Sequence, residues 1–189
     1  METLENIAQK INVCTLCPLY KNTTHSVPGE GSPKAKIFFI GEAPGRNEDL
    51  QGRPFIGASG KFLTQLIESM GLKREDVFIT SIIKHRPPEN RDPTPQEIKA
   101  CFVHLKAQLE IIKPLIIVTL GRHALNTFLP TSRISEVHGA ATIAKGISTE
   151  QQIYFPLYHP ASALYNPALR KTLMEDFQKL ENLLKELGK

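Results

Sequence analysis

Cys14 and Cys17 stand two residues apart, a spacing at which two thiolates can grip one zinc ion or one iron of a cluster. Cys101 is the only other thiol among the 3 cysteines of the chain, so a four-ligand site needs one more donor. His85 is the best candidate, because it precedes Cys101 by a separation that one loop and one helical turn can close. By spacing alone, this pattern suits zinc and an iron–sulfur cluster equally. The plain alternative is a pair of ordinary thiols and a surface or phosphate-contacting histidine.

A second group is Gly41-Glu42-Ala43-Pro44-Gly45, followed by Glu48-Asp49 and then Gly52-Arg53-Pro54-Phe55-Ile56-Gly57. Glycines let the backbone approach a ligand closely, and carboxylates offer a base to activate water. Phe55 sits in a Gly/Pro-rich loop, where an aromatic ring is expected to face a ligand; the competing reading is a turn with solvated acids. A third group is Tyr158-His159-Pro160-Ala161. A histidine fixed by a following proline can donate a hydrogen bond to developing negative charge, although a lone histidine is more often structural. Lys84, Arg86, Arg91 and Arg170-Lys171 could hold phosphates, against the default of a solvated basic face.

The elements that must position these residues follow from periodicity. A short helix is expected over Leu4, Ile7 and Ile11, ending at Cys14. Lys36–Ile40, Val77–Ile83, Leu115–Leu120 and Gln152–Tyr158 read as strands. Between them, Phe62 to Met70 has helical spacing with Ser59 as its cap, and Ile98 to Ile112 forms a helix opening at Pro95. Leu169, Leu173, Phe177, Leu180, Leu184 and Leu187 make one helical stripe. Solid apolar strands alternating with helices predict a three-layer α/β/α sandwich with a mostly parallel central sheet. In such sheets ligands sit beyond the carboxyl ends of the strands. The segments beginning at Gly41, Lys84, Gly121 and His159 each follow a strand directly, so they should gather on one edge.

Composition narrows the classes further. The 189 residues are 41% apolar and 22% charged, which fits one folded domain spanning 1–189 and excludes a disordered chain. No apolar run approaches the ~18 residues of a membrane span. Met1–Gln9 has no hydrophobic signal core, and an odd cysteine count argues against a disulfide framework. A reducing, cytoplasmic setting is expected. The net charge of +4 permits an anionic partner such as nucleic acid without requiring one.

Taken together and in order, these motifs resemble the family-4 uracil-DNA glycosylases, the thermostable iron–sulfur type found in archaea and many bacteria. The carriers are GEAPGRNED (Gly41–Asp49), GRPFIGASG (Gly52–Gly60), KHRPPENRDP (Lys84–Pro93), LGRHAL (Leu120–Leu125) and YHPASALYNP (Tyr158–Pro167). The resemblance implies a monomeric base-excision repair enzyme acting on uracil-containing DNA, single- or double-stranded. It would flip uracil out, hydrolyse the N-glycosidic bond and leave an abasic site without a lyase step. It also implies a structural four-iron four-sulfur (4Fe-4S) cluster held by Cys14, Cys17, Cys101 and the residue at His85. Carried over by position, Glu42 is the acid beside the base and works with Asn90. Glu48 helps organise the site or its water, with Asp49 as a rival. Phe55 stacks on the flipped base, Gly41 and Ala43 line it, and His159 hydrogen-bonds uracil O2.

Two departures stand out. The family usually has Cys where His85 stands; a cluster with three Cys and one His remains chemically sound, as Rieske centres show. A DNA-crosslinking branch of the superfamily shares this Lys-His pair but carries an added basic loop, and here Arg86 runs straight into Pro87-Pro88. The strand before Lys84 usually ends in an Asn that reads the uracil edge, and here Ser81 stands at that point. Three other readings therefore stay open: a glycosylase of altered or broadened base preference, a weakly catalytic DNA-binding relative, and a zinc-containing binding module.

Overall fold

A computed structural model describes residues 2–188. Among them, six strands form one sheet: β1 (Glu30–Gly31), β2 (Ile37–Gly41), β3 (Phe78–Ser81), β4 (Ile116–Leu120), β5 (Thr142–Ala144) and β6 (Gln152–Leu157). Their order is β1-β3-β2-β4-β6-β5. β2 pairs in parallel with β3 and β4, and β4 with β6, whereas the short edge strands β1 and β5 run antiparallel. The helices are α1 (Leu4–Asn12), α2 (Arg46–Gln51), α3 (Ala58–Ser69), α4 (Pro95–Ile112), α5 (Arg122–Phe128), α6 (Ile134–Val137) and α7 (Pro167–Leu187).

Every residue of β2 is buried, because helices cover both faces of the sheet. Successive side chains point to opposite faces. Ile37 and Phe39 therefore join Leu63, Ile67 and Phe177 in one core, against α3 and α7. Phe38 and Ile40 join Leu105, Leu109 and Leu125 in the other, against α4 and α5. The expected α/β/α sandwich is what forms.

The helix starts follow local chemistry. Thr94 accepts the Glu97 backbone N–H while the Glu97 carboxylate accepts that of Thr94, and Pro95 takes the first helical position of α4. Asn166 caps α7 without such a reciprocal bond: its Oδ1 accepts the Ala168 and Leu169 backbone N–H groups, and Pro167 takes the first helical position. The expectation that Ser59 caps α3 is corrected: the cap is Gly57, and Ser59 lies inside the first turn. The two N–H groups at this entry, of Ile56 and Gly57, donate instead to Glu48 Oε1, each at 2.9 Å. The strand expected over Val77–Ile83 is shorter, since the chain leaves the regular ladder after Ser81. α2 and α5 were not legible as helices; 6 and 7 residues are too few to display a period.

Candidate active site and metal centre

Parallel strands end on one edge. Gly41 pairs with Ser81, and Leu120 with Leu157, so the segments after β2, β3, β4 and β6 converge. There they surround a cavity of about 320 Å³ lined by Glu42, Ala43, Glu48, Phe55, Ser81, Asn90 and His159, among others. Sequence reading had placed all seven in one site, and the fold brings them together.

Phe55 is the residue whose setting differs most from expectation. It is 6% exposed rather than open, and its backbone is left-handed, with φ of 49°. Such a backbone is costly for a bulky residue and persists only where surroundings enforce it. Two glycines make room for it here. A Cβ on Gly60 would fall 1.9 Å from the Phe55 carbonyl, and one on Gly41 would fall 2.5 Å from the ring. The ring is thereby laid over the end of β2. Its other neighbour is the His159 imidazole, stacked at 5.6 Å between centroids and 29° between planes.

His159 caps a short turn of 3-10 helix, Pro160–Ala163. Its Nδ1 accepts the Ala161 backbone N–H at 3.1 Å. Burial holds its pKa down at about 4, with the Glu48 carboxylate pulling the other way. The ring is therefore neutral near pH 7, with its one proton on Nε2.

The carboxylates separate by face. Glu48 and Asp49 are neighbours on α2, yet only Glu48 lines the cavity. Asp49 is buried elsewhere and accepts the Thr24 backbone N–H at 2.9 Å. Glu42 is raised above the ordinary carboxylate range, chiefly by burial and also by Asp92, while His123 and Arg122 oppose the shift. Asn90 also has a left-handed backbone, with φ of 54°, and its Oδ1 accepts from Arg86 Nε at 2.7 Å. That leaves the amide N–H groups of Asn90 for a ligand.

The basic residues mostly have other partners than phosphate. Lys84 is 0% exposed and donates to Ser81 O and to Gln108 Oε1, both at 2.9 Å. Burial brings its pKa down to about 7, with Cys101 opposing. It therefore cannot hold a phosphate, which corrects that expectation. Arg91 pairs with Glu97 and Lys171 with Glu175, while the Arg170 guanidinium lies over the Phe62 ring, 4.2 Å from its centroid.

The thiols lie outside this cavity. Cys14 and Cys17 follow α1, and Cys101 is buried on α4. Burial pushes the Cys101 thiol up to about 11; Lys84 pulls it down, while Cys17 and Cys14 add to the rise. His85 is buried and shares a second cavity with Cys14. Sequence reading missed His104, whose Nε2 lies 3.2 Å from Cys14 Sγ. The signal was there in principle, since His104 stands one helical turn after Cys101. Three thiols with imidazoles beside them, in a half-buried setting, form a donor set suited to a soft metal or an iron–sulfur cluster.

The sequence model of the uracil DNA glycosylase superfamily matches residues 28–187. The chain belongs to that superfamily, within its type-4 group. It is 51% identical to the type-4 uracil-DNA glycosylase of Sulfurisphaera tokodaii over 189 aligned residues, which cover 97% of this chain and 86% of the relative. The type-4 enzyme of Archaeoglobus fulgidus is 47% identical, covering 97% of this chain and 94% of the relative. That of Thermotoga maritima is 40% identical, with 99% and 97% covered. Among the described residues, no helix is long and apolar enough to cross a membrane.

Proposed function

We propose that this single-domain protein removes uracil from DNA, as its relatives' names describe, by extruding the base into the cavity at the sheet edge and hydrolysing its N-glycosidic bond. The observation that carries the reading is His159: a neutral imidazole with its donor on Nε2, stacked on Phe55 and facing a cavity that also holds Glu42 and Asn90.

The chemistry follows from where charge develops. As the bond between C1′ and N1 breaks, its electron pair leaves with uracil, and negative charge accumulates on O2. A donor on Nε2 of His159 aimed at O2 strengthens as that charge appears, which lowers the barrier. A neutral histidine keeps this donor without adding a buried cation that would bind the ground state equally. The sugar becomes cation-like, and the Glu42 carboxylate stabilises it and takes a proton from the water that adds to C1′. That proton ends on the departing uracil anion. Glu48 anchors the Phe55 loop through the Ile56 and Gly57 N–H groups, and its Oε2, beside Gly45, is available to order the water. Phe55 replaces part of the stacking lost when the base leaves the duplex, a few kcal/mol in general. No lysine lines the cavity among the described residues, so the product is an intact abasic site rather than a Schiff base. Ala43 lines the cavity beside the base, whereas Gly41 lies beneath the Phe55 ring.

For the thiol site we propose a structural 4Fe-4S cluster held by Cys14, Cys17, Cys101 and His85. A cluster held there would tie the segment after α1 to the segment after β3 and to α4. Its support is the donor set and the type-4 names of the relatives. A brown protein with visible absorbance supports the cluster, and a colourless zinc protein overturns it.

One assay tests the enzyme reading. A labelled oligonucleotide with a single uracil is incubated with the protein and then treated with alkali. Cleavage at the uracil position, absent from the thymine control, is the expected result; binding without cleavage overturns the reading in favour of a DNA-binding relative.

A further inference from the structure

Of the four segments that gather at the sheet edge, Gly121-Arg122-His123 has no part in the chemistry above. His123 lies in the first turn of α5, with its Nε2 3.1 Å from Asp92 Oδ2 and 3.9 Å from Glu42 Oε2. The three side chains bring one donor or acceptor atom each to within 4.8 Å of one another. His123 is 22% exposed and Glu42 29% exposed, yet Nε2 itself is buried and makes no well-aligned hydrogen bond. A buried, unpaired imidazole nitrogen is unfavourable, and a single donor between two carboxylates has two ways to be satisfied. Asp92 is the nearer of the two, but its charge is already compensated by Arg122, whose Nη2 lies 2.6 Å from Asp92 Oδ2, whereas Glu42 Oε2 has no such cation at hydrogen-bond distance. Glu42 is left as the acceptor that a small closure would complete.

The geometry points to His123 as a positioning residue for base excision: its Nε2–H donates to Oε2 of Glu42 as DNA closes over the cavity, holding that carboxylate against the attacking water. The inference rests on the role given to Glu42 above. The charged groups facing Glu42 are His123 and Arg122 of α5 and Asp92 of the segment before α4. His123 favours the carboxylate form of Glu42, while Asp92 disfavours it. Removing one or the other should therefore move the acid limb of the rate profile in opposite directions.

The test is single-turnover excision on a uracil oligonucleotide across pH, with DNA affinity and thermal unfolding measured alongside. His123→Phe is expected to slow excision about a hundredfold, as a slight misplacement of a reacting group does, with DNA affinity little changed. Its acid limb should move to higher pH. His123→Gln, whose amide N–H replaces the Nε2 donor, should recover most of the rate. Asp92→Asn should move the limb to lower pH. If His123→Phe fails to fold, His123→Asn, too short to reach Glu42, takes its place. A profile for these variants that superimposes on the parent's, or a loss confined to DNA affinity, overturns the proposal. So does activation of the parent by added magnesium or manganese together with a His123→Phe-like loss in chelator, which would make the cluster a cation site. Glu42→Gln separates the two layers: full activity there removes the role of Glu42 itself, whereas an inactive Glu42→Gln beside unmoved His123 variants removes only the positioning.

Discussion

Nδ1 of His159 accepts the backbone N–H of Ala161, two residues along the same turn, at 3.1 Å. This bond selects the tautomer, and burial keeps the ring neutral down to about pH 4. His159→Ala should therefore reduce single-turnover excision about 10²–10³-fold, the usual loss for one donor to a developing oxyanion. DNA affinity should change little. From about pH 5 to pH 8, the rate profile should show no inflection from this histidine, although free histidine titrates there. Equal losses of rate and affinity in the variant would make His159 a binding residue instead.

Ser81 is 3% exposed and stands beside Gly41 in the strand register, at the cavity wall. A hydroxyl presents one rotatable donor, whereas an Asn amide donates and accepts at once. Ser81→Asn should raise excision of uracil relative to hypoxanthine and xanthine, by about 1–3 kcal/mol of discrimination if the amide makes a two-point contact. The three substrates are compared side by side. An unchanged rate and preference would show that Ser81 does not read the base.

For the metal centre, His85→Ala should lower iron content and the thermal midpoint, while His85→Cys should retain both iron and visible absorbance. Full iron and unaltered stability in the Ala variant would remove His85 from the ligand set. In that event His104, 3.2 Å from Cys14 Sγ, is the nitrogen to replace next.

Glu97 ties the entry of α4 to Arg91, accepting from Nη1 at 2.9 Å and from Nη2 at 2.6 Å. The Arg91 bonds, followed by the Thr94 N–H, hold its carboxyl down at about 2. Because the folded pKa lies below the ordinary one near ~4.3, this contribution to stability is complete above that value. It is lost as pH falls from about 4.5 toward 2. Glu97→Ala should cost about 1–2 kcal/mol at neutral pH, from the lost cap and charge-assisted bonds. Urea unfolding at pH 7 and pH 3 checks this, since the gap between variant and parent should narrow at the lower pH.

Much of this protein is written locally. Solid apolar runs such as Ile37–Gly41 specify strands buried on both faces, and their alternation with helices specifies a mostly parallel sheet. That architecture alone puts the segments after Gly41, Ser81, Leu120 and Leu157 on one edge. The chemistry-bearing residue types were therefore legible, and so was their convergence.

Other features depended on neighbours distant in sequence. Whether Glu48 or Asp49 faces the cavity turns on the rotation of α2, and adjacent helical residues point about 100° apart. Phe55 looked open because its own loop is rich in Gly and Pro; its left-handed backbone and burial are possible because Gly60 and Gly41, lacking side chains, let it pack directly against them. Lys84 looked like a phosphate ligand until Gln108, 24 residues away, and the Ser81 carbonyl claimed its ammonium. His123 and Glu42 lie on different strand ends, so no spacing pattern announces them. Sequence determined which residues could act, because strand and helix periods are local properties. Tertiary structure decided which of them face one another, because side-chain direction and burial are set by packing against elements far along the chain.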